Sequence, residues 1–219
     1  MSFSDIVGVL IVYLYVGFLI LVSRYLFPEK SSVARKFLHI MVGNIIFILP
    51  LFDARWVMVL FAAAPFIFLT YLISPQSPLD LSNSTHSSGH DLGLVYYSIS
   101  WTILALLYFE HLDVIAVGII CMSYGDGAAS LVGKKYGEHY FSITRDKKSL
   151  EGSISMILSS SLMISLALFY LDAFPERLIV IPLVVGIATI IELVSINGSD
   201  NLLIALIAST SYYIIIHLF

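Results

Sequence analysis

Runs of about twenty apolar residues, cut only by short polar stretches, fill this chain from Asp5 to Phe219. That pattern leaves one economical fold. Hydrocarbon offers no partner to a peptide N–H or C=O, so a segment crossing it satisfies its own hydrogen bonds, as a helix does. With 59% hydrophobic and 12% charged residues and a mean hydropathy of +0.96, too little polar surface remains to solvate a globular domain. The expected fold is all-α: a polytopic membrane bundle of about eight transmembrane helices forming one integral domain over 1–219, with no separate soluble domain. Apolar runs bounded by charge, Pro or Gly place the spans near 5–27, 34–52, 55–73, 92–109, 112–133, 151–171, 177–196 and 201–219. The first is read as an uncleaved span, because Asp5 stands where a signal peptide carries cations. Cys121, the single cysteine, excludes an intramolecular disulfide and is read as a small core residue.

Short loops rich in Lys and Arg stay cytoplasmic. Arg24, Lys30, Arg35, Lys36, Lys134, Lys135, Arg145, Lys147 and Lys148 fall at the first and fifth connections, against Arg55 and Arg177 at the second and sixth. Both termini are therefore expected outside the cytoplasm. Loops near 28–34, 74–91, 134–150 and 197–200 then share the cytoplasmic side as one active-site face.

Charge beside a bilayer is expensive and calls for a reason. Asp126, between Gly125 and Gly127 at the end of the fifth span, reads either as the partner of a membrane-edge lysine or as a functional acid whose flanking glycines expose amides to a ligand. Lys134, Lys135, Lys147 and Lys148 serve as interfacial anchors or, so near Asp126, as phosphate ligands. Ser149 is a plausible N-cap for a helix starting at Leu150-Glu151-Gly152, whose N-terminus together with Lys148 suits phosphate oxygens. Arg35 and His39, four apart, share a helical face, with Lys36 beside them. Glu192 lies within Ile-Ile-Glu-Leu-Val and is expected to face the bundle interior or water. Asp200-Asn201 reads as a cap or, with Asp126 and Glu192, as part of an oxygen set for Mg²⁺, a metal that commonly shares its coordination with substrate phosphates. His86, His90 and Asp91 match a transition-metal set only loosely.

Four motifs occur together: Arg35-Lys36-x-x-His39; Gly125-Asp126-Gly127-Ala-Ala-Ser130-x-x-Gly133; Lys148-Ser149-Leu150-Glu151-Gly152-Ser153; and Glu192-x-x-Ser195 followed by Asp200-Asn201. From about Ala34 to the C-terminus the chain resembles the polyprenol kinase family that includes dolichol and phytol kinases. Its centre also resembles the CDP-diglyceride synthases, but the C-terminal Gly-His-Gly-Gly and basic elements of those enzymes are absent. The resemblance implies transfer of the γ-phosphate of CTP, with Mg²⁺ as cofactor, to the hydroxyl of a long-chain isoprenoid alcohol of the dolichol, polyprenol, phytol or geranylgeraniol type. It implies Asp126, Glu192 and Asp200 as catalytic or metal-holding acids. Lys148, Ser149, Glu151, Gly152, Lys134, Lys135, Arg35, Lys36, His39, Gly125, Gly127 and Asn201 would form the nucleotide and phosphate pocket. The partners implied are CTP, the lipid alcohol and membrane lipids, with no nucleic acid. The membrane is the plasma membrane, endoplasmic reticulum or plastid envelope, according to source. Alternatives left open are a CDP-lipid synthase, a CTP-dependent diacylglycerol kinase and a transporter.

Overall fold

A computed structural model describes residues 1–28, 31–74, 76–77, 92–144, 147–174, 177–196 and 198–218. Six helices are long and apolar enough to cross a membrane: α1 (Phe3–Leu26), α2 (Ser32–Leu51), α3 (Arg55–Leu72), α5 (Leu112–Tyr136), α6 (Leu150–Tyr170) and α8 (Asp200–Leu218). Two shorter apolar helices, α4 (Gly93–Tyr108) and α7 (Leu178–Val194), complete the set. The protein is thus an all-α polytopic membrane bundle, and the element boundaries fall within a few residues of those expected from the apolar runs. The loop holding His86, His90 and Asp91 lies outside the described residues.

The helices depart from ideal geometry where the sequence gives a cause. The second half of α2, Gly43–Leu51, winds as a 3₁₀ helix with Pro50 inside it. In α3 a π turn, Met58–Ala63, precedes Pro65, which lacks an N–H. Gly125 and Gly127 do not break α5. A π turn over Cys121–Gly125 runs straight into the helix from Asp126 to Tyr136. Beyond it, part of the expected 134–150 loop is ordered by a two-residue antiparallel pair, β1 (Tyr140–Phe141) with β2 (Lys148–Ser149).

α5 is the axis of the molecule: 78% of its most apolar window is buried, against 22–33% for the other five long helices. Lipid tails are as apolar as Leu, so helices in a bilayer associate chiefly through close packing and interhelical hydrogen bonds. Small residues set the approach here. A Cβ on Gly118 would strike Ser209 and the Ala205 carbonyl of α8, and the Ser209 hydroxyl donates to the Val114 carbonyl at 2.8 Å. Cys121 is a buried free thiol in this core.

Candidate active site

Four distant stretches of sequence deliver polar side chains to a single cavity of about 450 Å³: the first turn of α2, the middle of α5, the β2–α6 junction and the α7–α8 connection. Arg35, Lys36, Asp126, Lys134, Lys147, Lys148, Ser149, Gly152, Glu192 and Asp200 all line it. Three carboxylates and five cations thus share one space.

Two largely buried ion pairs resolve that charge. Lys36 Nζ donates to Asp126 Oδ2 at 2.7 Å, with side-chain exposures of 14% and 6%. Lys148 Nζ donates to Glu192 Oε1, with 16% and 6%. Burial works against the Lys148 ammonium, but the Glu192 carboxylate outweighs it and raises the pKa above the ordinary lysine value. Lys148 is therefore cationic throughout the neutral range. The stability this pair adds is complete below the ordinary lysine pKa and is lost only as pH climbs through the raised one.

The π turn shapes the reactive end of α5. Within it the Met122 carbonyl accepts a hydrogen bond from His39 Nε2 at 3.0 Å. A carbonyl can only accept, so Nε2 carries the hydrogen and the neutral ring keeps its lone pair on Nδ1. The same Nε2 stands 3.4 Å from Asp126 Oδ2. π turns of this kind recur at functional sites because they shift the register of the residues that follow. Here the residue that follows is Asp126.

The cavity floor rests on a close helix crossing, α5 against α6. A Cβ on Gly152 would lie 2.8 Å from the Ala129 carbonyl, and one on Gly133 would lie 2.9 Å from Ser149 Oγ. Ser149 is the N-cap of α6, its Oγ accepting from Gly152 N at 3.1 Å, as its place before Leu150 suggests.

Several expected ligands stand elsewhere. Gly125 and Gly127 do not line the cavity. A Cβ at Gly125 would strike Ser160 and come within 3.2 Å of Met156 Cγ, and one at Gly127 would strike Ile40. They pack α5 against α6 and α2, inside a helix whose amides bond internally, and offer none to a phosphate. The Glu151 carboxylate faces away, accepting from His139 N at 3.2 Å and lying 2.6 Å from His139 Nδ1. Lys135 lies over the Tyr136 ring, its Nζ 5.0 Å from the centroid. Asn201 ties α8 to α4, donating Nδ2–H to the Gly93 carbonyl at 3.0 Å. His39 reaches the cavity only through Asp126. Lys147, weighed with the other lysines, and Ala129 and Ser153, from the quoted motifs, also line the cavity, as does Tyr140, which sequence reasoning missed. Tyr140 is delivered by the hairpin, a pairing with no signal in its two-residue strands, and its hydroxyl donates to the Gly133 carbonyl at 3.3 Å.

Among the described residues, no three His, Cys, Asp or Glu side chains converge closely enough to hold a metal unaided. Mg²⁺ does not require that: it keeps several waters and takes one or two carboxylates plus substrate phosphates. Asp126, Glu192 and Asp200 around a cationic cavity fit that mode of binding.

No family model matches the chain, and no solved structure matches it. Curated relatives do. It is 30% identical over 201 residues to the phytol kinase of Synechocystis, covering 88% of this chain and 84% of the relative. It is 28% identical over 206 residues to a probable chloroplastic phytol kinase of Oryza sativa, covering 85% of this chain and 65% of that protein. It is 28% identical over 213 residues to the chloroplastic farnesol kinase of Arabidopsis thaliana, at 88% and 68%. These similarities run over most of a chain whose polar motifs meet in one cavity; the chain belongs to the isoprenoid alcohol kinase family.

Proposed function

We propose that this protein transfers the γ-phosphate of CTP to the hydroxyl of an isoprenoid alcohol, in a cavity that opens to the cytoplasm and is reached by the alcohol from within the membrane. The observation that carries this reading is a single cavity combining five cations with three carboxylates at the ends of apolar helices. Phosphoryl transfer needs positioning and charge neutralisation more than covalent chemistry from the protein. Arg35, Lys36, Lys134, Lys147 and Lys148 supply the positive field for a triphosphate. On its arrival Lys36 and Lys148 trade carboxylate for phosphate oxygens, which frees Asp126 and Glu192. With Asp200 these acids would hold Mg²⁺, whose chemistry is to neutralise charge on the transferring phosphoryl group. The alcohol oxygen forms a bond to the γ-phosphorus while the bond from that phosphorus to the β–γ bridging oxygen breaks. CDP leaves, and the hydroxyl proton passes to a carboxylate of the site, with Asp126 the candidate beside His39.

The test is product analysis. Purified protein is incubated with Mg²⁺, base-labelled CTP, ATP, GTP or UTP, and farnesol, phytol, geranylgeraniol, a longer polyprenol, diacylglycerol or phosphatidic acid. CDP with a phosphorylated isoprenoid is expected. Pyrophosphate with a CDP-lipid would identify a synthase instead, and phosphorylated diacylglycerol would reassign the acceptor. Turnover with ATP alone would remove CTP as the donor.

A further inference from the structure

Behind His39 lies a second cavity of different character. It lies between α1, α2, α3 and α4 and is lined almost entirely by apolar side chains, with a volume of about 180 Å³. Its walls run the length of the helices, from Leu38 to Phe52 along α2 and from Ile73 back to Met58 along α3. At helical rises of 1.5 to 2 Å per residue, both paths give a length of roughly 20 Å. A small volume drawn out over that length is a bore for one chain.

One end of this bore meets the polar cavity. His39 lines the bore, while its Nε2 stands 3.4 Å from Asp126 Oδ2, which faces the polar cavity. The Tyr97 ring packs edge-on against His39, centroids 5.0 Å apart. The other end is closed. Leu49, Phe52 and Met58 line it and are 0%, 6% and 1% exposed. Phe52 is held on both sides of the chain: Asp53 N and Ala54 N donate to Asp5 Oδ1 at 2.9 and 3.1 Å, and Ser4 Oγ donates to the Leu51 carbonyl at 2.7 Å. Its ring lies flat on Gly8, where an added Cβ would come within 3.1 Å of it. A floor fixed this firmly sets a length.

We propose that this cavity is the chain-binding channel of the kinase and that Phe52 is its stop, so that the preferred acceptor is a single isoprenoid chain of about four units. The inference rests on the kinase reading above and adds the acceptor's shape. With its hydroxyl beside His39 and Asp126, an extended carbon chain with bonds of about 1.5 Å reaches the floor after about sixteen main-chain carbons. That is the main chain of a four-unit isoprenoid. Long polyprenols overrun the floor, and diacylglycerol brings two chains to a bore for one.

Two variants move the floor in opposite directions. Phe52→Ala removes the stop, and Ala62→Leu, in a lining position halfway along α3, narrows the bore short of it. Relative to wild type, Phe52→Ala is expected to shift the kcat/KM ratio of a five- or six-unit alcohol over geranylgeraniol upward by about tenfold, and Ala62→Leu to shift the ratio of farnesol over geranylgeraniol upward to a similar extent. Wild type that phosphorylates isoprenoids, with both variants keeping its chain-length profile, would overturn the channel and leave the kinase reading intact. A binding measurement tests the channel without turnover. In a Trp56→Phe background, where the exposed Trp56 is gone and the cavity-lining Trp101 is the one tryptophan left, a sixteen-carbon alcohol brominated at mid-chain is expected to quench fluorescence saturably. Geranylgeraniol should reverse the quenching. Absence of quenching, from folded protein that binds the alcohol by equilibrium dialysis, would place the chain elsewhere.

Discussion

At the residue scale, Asp126 joins the two halves of the chemistry. It accepts from Lys36 in the polar cavity and sits beside His39 at the mouth of the apolar one. Asn in its place keeps the size and a hydrogen-bond acceptor but removes the charge. Asp126→Asn is expected to lower turnover by at least about 100-fold, the scale of losing one electrostatic element of a site, while the detergent-solubilised protein keeps a cooperative thermal transition. Near-normal turnover would take Asp126 out of the mechanism. Asp126, Glu192, Asp200, Lys36 and Lys148 were legible because an ionisable residue in an apolar run needs a reason. Glu151 and Asn201 stand off the cavity, for a polar residue beside a motif can as well be occupied locally, by His139 and by the Gly93 carbonyl.

At the element scale, the crossing of α5 over α6 sets the cavity floor, and the glycines there are graded by what surrounds them. Gly152 faces a backbone carbonyl that cannot step aside, whereas Gly186 in α7 has nothing within 4 Å of an added Cβ. Gly152→Val is therefore expected to destabilise the protein by about 1–3 kcal/mol and to abolish activity with it. Gly186→Ala should leave both unchanged or stabilise slightly, by about 0.5–1 kcal/mol. Thermal unfolding in one detergent compares them, and equal behaviour of the two variants would refute the close crossing. The same grading shows why Gly125 and Gly127 stand off the cavity: glycine spacing looks alike whether it clears room for a phosphate or for the neighbouring helix.

At the scale of the whole molecule, the ion-pair cavity lies at one end of the bundle and the stop at Phe52 near the other. The proposal above turns the cavity end to the cytoplasm, the side on which short loops rich in Lys and Arg stay. A membrane-impermeant thiol reagent is expected to reach Ser142→Cys, exposed in the hairpin, from the cytoplasmic side alone. It should reach His217→Cys, exposed near the far end of α8, from the opposite side alone. Labelling of both from one side would overturn that orientation.

The sequence by itself determined the helices, since twenty apolar residues in hydrocarbon have to close their own hydrogen bonds locally. It also determined which ionisable residues the protein keeps in costly places, because each charge is visible where it stands. The tertiary structure alone decided the partners: Lys36 to Asp126, Lys148 to Glu192, His39 to the Met122 carbonyl. Those pairings depend on the rotation of α2, α5 and α7 about their axes and on the π turn that re-aims Asp126, and rotation is fixed by packing between segments 44 to 90 residues apart. The apolar channel was hidden for the same reason. Its walls come from four helices whose lining residues are chemically no different from those that face lipid.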